Sequence, residues 1–259
     1  MVAAMGERSV LSALGSLGLL ARPRLGLPWG RYWRPARQRG PEVLLDDDEL
    51  RISALRGASA VSVVAFTGVA GGLGQIQLEE FRHALRGNGA PACNLVFVID
   101  KQRRWYNGGT AAVIAGIVNA QLAAFGTVRT VTLGNSMGGF GAIVFAPRLT
   151  GCGTAIAFCP QSSVHPAIAP FETRWPEWTG RITQWELPDA VATLRPEIRY
   201  HLFFGTQNMQ DDRHAARFLA AGALGMNITR IPGCAHDVAP YLKRTRRLRP
   251  LLRELILDG

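Results

Sequence analysis

The sequence predicts an α/β fold in which a mostly parallel sheet carries helices on both faces. Two observations predict it. Short runs that are apolar on both faces alternate with segments of helical periodicity, and small-residue turns lie where one gives way to the other. A chain of 259 residues that is 47% hydrophobic has enough apolar surface for one ordinary domain and a tail.

In chain order, residues 1–49 read as a basic, poorly ordered arm. Pro23, Pro28, Pro35 and Pro41 interrupt any periodicity, and Asp46, Asp47, Asp48 and Glu49 form an acidic link. Residues 10–21 have the length of a signal-peptide core, and the Arg-rich stretch 22–39 has the composition of a transit peptide. Glu7 sits beside Arg8 ahead of them and no clear small-x-small cleavage site follows, so an extension is the favoured reading. The folded domain is expected over residues 50–259. Strands are predicted at 61–66, 95–99, 128–133, 154–159, 200–204 and 228–231. Helices are predicted at 78–86, 110–125, 137–149, 213–224 and 239–257. Residues 165–196 break the alternation with five prolines and with Trp175, Trp178 and Trp185. This stretch reads as a short Trp/Pro-rich insertion: either a lid whose aromatic faces hold a sugar ring or acyl group, or tryptophans packed against the body.

The charge is confined to the ends. Seven arginines in residues 1–40 oppose only Glu7, and six Lys or Arg in residues 241–259 oppose Glu254 and Asp258, which accounts for the whole net charge of +10. A neutral body argues against a nucleic-acid groove. The ends are either solvated or make peripheral contact with a membrane or another anionic surface. No run reaches the roughly 18 apolar residues of a membrane span. Cys93, Cys152, Cys159 and Cys234 form no CxxC pair and no metal-ligand spacing, which predicts no metal, reduced thiols and a cytoplasmic setting.

The chemistry is concentrated in Gly134-Asn135-Ser136-Met137-Gly138, where a predicted strand meets a predicted helix. A serine on that tight turn projects its hydroxyl into a cleft, and the N–H of Met137 opens the helix, ready to face a developing oxyanion. The hydroxyl needs a base, and His236 is the best of the five histidines because it alone sits in a loop after the final strand. His83, His165, His201 and His214 read as surface or packing residues, and Cys234 is a weaker nucleophile candidate than Ser136. The third member is expected on the loop after the preceding strand, where Asp211 and Asp212 compete. Asp211 is favoured because Asp212 directly precedes a helical run and suits its cap, while Asp237 is in the wrong order.

With Phe66-Thr67-Gly68, Gly134–Gly139, Phe203–Ala215 and Pro232–Leu242 in hand, the body resembles the α/β-hydrolase superfamily, in particular small bacterial esterase-like members found beside polysaccharide and glycosyltransferase functions. The resemblance implies an α/β-hydrolase fold, a serine esterase needing no cofactor, and an acylated small molecule or glycan as substrate. It also implies a second oxyanion donor from the backbone of Gly68 or Val69, although no HGGG-type motif is present. An acyltransferase using the same three residues and a non-catalytic binding module on the same fold are the alternatives. The stretch Thr67–Gly74 does not match G-x-G-x-x-G, no Gly-Lys-Ser or Gly-Lys-Thr follows it, and only Asp100 ends the next strand, so neither a dinucleotide site nor a P-loop is predicted.

Overall fold

The structure, a computed structural model, describes residues 40–69, 81–85 and 92–258. The predicted arm up to residue 39, most of the glycine-rich stretch and the predicted helix start at 78–80 lie outside the described residues.

The sheet opens with the hairpin of β1 (Glu42–Asp46) and β2 (Leu50–Leu55), followed by β3 (Val61–Phe66) and β4 (Asn94–Asp100). Four further strands complete it: β5 (Arg129–Asn135), β6 (Cys152–Phe158), β7 (Arg199–Gly205) and β8 (Met226–Ile231). Their order is β1-β2-β4-β3-β5-β6-β7-β8. β1 and β2 pair antiparallel, as do β2 and β4, and every later pairing is parallel. The first two strands were not among the predicted elements, and the sheet begins at Glu42, ahead of the expected boundary at residue 50. The acidic link is the hairpin turn itself: the Asp47 carboxylate accepts the N–H of Glu49 at 2.9 Å and of Leu50 at 2.7 Å, the local bonding for which aspartate is selected in turns.

Because strand side chains alternate, each strand feeds two cores. Val64, Phe66, Val96 and Val98 point to one face, where they pack with α2 (Ala111–Phe125), α3 (Met137–Phe145) and Phe218 of α5 (Met209–Ala221). Val63, Ala65, Leu95 and Phe97 point to the other, beneath α1 (Arg82–Leu85), α6 (Val238–Arg244) and α7 (Leu248–Arg253). The remaining helix, α4 (Pro176–Thr179), lies in the insertion.

Helix ends follow local chemistry. Gly126 and Gly222 close α2 and α5 in the left-handed conformation. The single helix predicted over 239–257 is two, because Pro250 within it would clash with the carbonyl four residues earlier. The chain breaks at 245–247 instead, with Arg246 at φ +59°, and Pro250 falls in the first turn of α7, where its missing N–H costs nothing. Among the described residues no helix is long and apolar enough to cross a membrane.

Two truncations test the role of the hairpin. Deleting residues 1–49 strips β1 and leaves β2 as an open sheet edge, whereas deleting residues 1–39 retains both. The first is expected to melt several degrees below the second, and equal melting temperatures would show that β1 contributes nothing to the domain.

Candidate active site

Ser136 lies between β5 and α3 with φ +54° and ψ −120°, a strained backbone for a residue bearing a side chain. The strain is sustained by contacts only glycine permits. A Cβ on Gly134 would sit 2.0 Å from the carbonyl oxygen of Gly138, and one on Gly138 would sit 2.0 Å from that of Phe66. Strand, turn and helix therefore close on one another. The N–H groups of Met137 and Gly138 fall in the first turn of α3, where a helix supplies no acceptor of its own.

His236 follows β8, and its Nε2 lies 2.8 Å from Ser136 Oγ. Its Nδ1 lies 2.8 and 2.9 Å from the two carboxylate oxygens of Asp211, which is fully buried. An ionised carboxylate only accepts, so Nδ1 carries the ring proton and Nε2 is free to accept from Ser136. Burial pushes the Asp211 carboxyl up, but the hydrogen bonds and charges of His236 and Arg174 outweigh it and hold the group below its ordinary range. Asp211 is thus a carboxylate facing the ring.

Asp212 is not the cap. Helix α5 begins four residues before its predicted start, and Asn208 caps it by accepting the N–H of Asp211 at 3.0 Å. Asp212 points outward to Arg230, and both side chains are exposed. Asp237 pairs with Arg244 at 2.8 Å, and the Cys234 thiol faces the carbonyl of Ile231 rather than His236. Asp100 spends its carboxylate on its own loop, accepting the N–H groups of Gln102, Arg104 and Tyr106.

That loop is strained as well, with Arg103, Trp105 and Tyr106 all at positive φ. It delivers the buried indole of Trp105 to Gln161, whose Oε1 accepts the indole N–H at 3.2 Å. The amide is thereby oriented so that Nε2 donates to Ser136 Oγ at 3.2 Å. The insertion reaches the same place: the Trp175 ring centre lies 6.3 Å from those of both Trp105 and His236, and Arg103 stacks on Trp178 at 4.2 Å. Its Glu172 and Arg174 stand behind Asp211. Sequence reasoning missed Gln161, Glu172 and Arg174. Gln161 had a faint signal in the polar run Gln161-Ser162-Ser163 after an apolar strand, while Glu172 and Arg174 had none.

No protein-family model and no curated protein matches the chain. Solved structures do. The capsule O-acetyltransferase of Neisseria meningitidis serogroup A, in complex with caged gadolinium, superposes with TM-score 0.59 over 79% of this chain and 92% of its own, at 15% identity. A Pyrobaculum calidifontis esterase gives TM-score 0.52 over 82% and 81% at 16% identity. Est1E from Butyrivibrio proteoclasticus gives 0.58 over 84% and 99% at 14%. The chain has the α/β-hydrolase fold.

Within the α/β-hydrolase fold Ser136, Asp211 and His236 follow one another in the chain, each beyond the carboxyl end of a parallel strand: Ser136 on the turn into α3, Asp211 in the first turn of α5 and His236 on the loop after β8. Cutting the acid–histidine contact should strand His236 in the wrong tautomer. Asp211→Asn is expected to lower kcat by about four orders of magnitude. Asp212→Asn should leave kcat unchanged and alter stability by no more than about 1 kcal/mol, since it loses one exposed ion pair. Steady-state kinetics and thermal melts of the two variants read both outcomes.

The insertion has its own pH signature. Although burial pushes the Glu172 carboxyl up, the Arg174 and His214 hydrogen bonds prevail and bring it down to about 2 from the ordinary 4.5. The stability it contributes is complete above pH 4.5 and is lost as the pH falls toward 2. In thermal melts across that window, Glu172→Gln should lose stability less steeply than the wild type.

Proposed function

We propose that the chain is a serine carboxylic-ester hydrolase acting on an acylated small molecule or glycan through an acyl-enzyme intermediate. The observation that carries this is the unbroken chain from Ser136 Oγ through the His236 ring to the buried Asp211 carboxylate, with contacts of 2.8 Å at both ends, set on a strained elbow.

Ser136 Oγ attacks the acyl carbonyl carbon as its proton passes to His236 Nε2. Asp211 holds the ring and stabilises the imidazolium that forms. The carbonyl oxygen becomes an oxyanion and takes the N–H of Met137, with the backbone of Gly68 or Val69 as the second donor. The tetrahedral centre collapses, His236 returns the proton to the departing alkoxide, and an alcohol leaves. In the second half, His236 takes a proton from water, the hydroxide adds to the Ser136 ester, and the carboxylic acid is released with the serine regenerated.

Substituting an alcohol for that water turns the same cycle into acyl transfer. This second reading is supported by the likeness to the capsule O-acetyltransferase, a variant of which was solved in complex with CoA and which matches this chain with TM-score 0.57 at 13% identity. Four free thiols support a reducing, cytoplasmic setting, and the basic ends suit an anionic surface.

A fluorophosphonate should label the wild type at Ser136. Ser136→Ala should neither label nor turn over p-nitrophenyl acetate, a loss of several orders of magnitude at unchanged melting temperature. Full ester turnover by the variant would refute the assignment. Product analysis with water against a sugar alcohol as acceptor separates hydrolysis from transfer.

A further inference from the structure

The insertion places a guanidinium on the acid of the site. Arg174 Nη1 donates to Asp211 Oδ1 at 2.8 Å, the same oxygen that lies 2.9 Å from His236 Nδ1. The 3.1 Å approach of Nη1 to Nδ1 is a contact of two donors converging on one acceptor, not a bond between them. Asp211 is therefore gripped from two directions, by the loop after β8 and by the insertion.

Arg174 is itself held in place. Its Nε donates to both Glu172 oxygens, at 2.9 and 3.1 Å, and its Nη2 also reaches Glu172. Glu172 is anchored from behind by His214 Nε2 at 3.0 Å. His214, fully buried on α5, accepts the N–H of Ser162 at its Nδ1, which leaves Nε2 as the protonated nitrogen facing the carboxylate. Burial keeps this imidazole neutral, because the bond to Glu172 does not offset the desolvation. Arg217 then donates to Ser162 Oγ and to Asp189, tying the far side of the insertion to the same helix. The side chains of Glu172 and Asp211 are each 1% exposed, so Arg174 is the cation that sits between two buried carboxylates.

We propose that Arg174 is a positioning residue for the active site: presented by Glu172, it fixes the rotation of the Asp211 carboxylate and so aims the His236 ring at Ser136. The inference rests on the esterase reading for its kinetic arm and on geometry alone for its spectroscopic arm. The insertion is on this account a working part of the acid–base pair. A carboxylate with one partner can turn about its terminal torsion, whereas one gripped by two convergent donors cannot, and a misdirected base is costly because proton transfer demands near-ideal geometry.

The test reads Ser136 activation and the His236 contact separately. Arg174→Ala is expected to lower the fluorophosphonate labelling rate and kcat on p-nitrophenyl acetate together, by about tenfold to a hundredfold, with KM little changed. Added guanidinium, and independently Arg174→Lys, should restore part of the rate. In proton NMR, the low-field resonance of the His236 Nδ1–H, bonded to Asp211, should move or broaden in Arg174→Ala. Glu172→Gln, which loosens Arg174 without deleting it, should show a smaller loss and carries the test if Arg174→Ala does not fold. A folded Arg174→Ala that labels at the wild-type rate would overturn the proposal, as would a rate loss that neither guanidinium nor lysine recovers, or a wild-type rate in Glu172→Gln. If the wild type does not label at Ser136, the esterase reading fails. The resonance is still read, and an unshifted signal in Arg174→Ala sinks the positioning role on its own.

Discussion

The left-handed backbone at Ser136 is the constraint on which the rest of the site depends. A serine pays for positive φ in backbone strain, and it stays there only because β5, α3 and the end of β3 approach so closely that a Cβ on Gly134 or Gly138 would overlap a carbonyl oxygen. That closeness sets the position of the hydroxyl, and with it where a base must stand. Everything else in the site answers to that point: the loop after β8 that brings His236 to 2.8 Å, and the amide of Gln161 turned toward the same oxygen.

Strain in one segment is matched by rigidity in its neighbours. The loop after β4 holds three residues with side chains at positive φ, and it can do so because the buried carboxylate of Asp100 satisfies three of its N–H groups. Its product is a fixed indole, Trp105, which orients Gln161 on one side and meets Trp175 of the insertion on the other. The insertion is tied to the body in a similar manner, by a network of buried polar and charged groups: Glu172 with Arg174 and His214, Ser162 with His214 and Arg217. Such networks are expensive when incomplete, so they specify one arrangement and resist others. The three tryptophans, weighed in sequence as either a lid or packing, are partly buried against the main core, and Trp175 also stands over His236.

The sequence by itself determined the six parallel strands of the sheet and marked Ser136, His236 and Asp211 as candidates, which the fold brings within hydrogen-bond reach of one another. Strands covered on both faces are predominantly apolar, and a tight strand-to-helix turn needs small residues at set spacings, so both leave a local record. It chose Asp211 over Asp212 for a reason the fold does not uphold, because helix ends depend on which side chain finds a free N–H, and Asn208 took the cap. Only the tertiary structure decided the hairpin of β1 and β2, the break before α7, and the parts played by Gln161, Glu172, Arg174 and His214. Each of these last four bonds to a partner 25 to 56 positions away. A charged residue in a proline-rich stretch carries no periodicity that would reveal a buried carboxylate waiting for it across the fold, since desolvation and pairing are properties of the packed state alone.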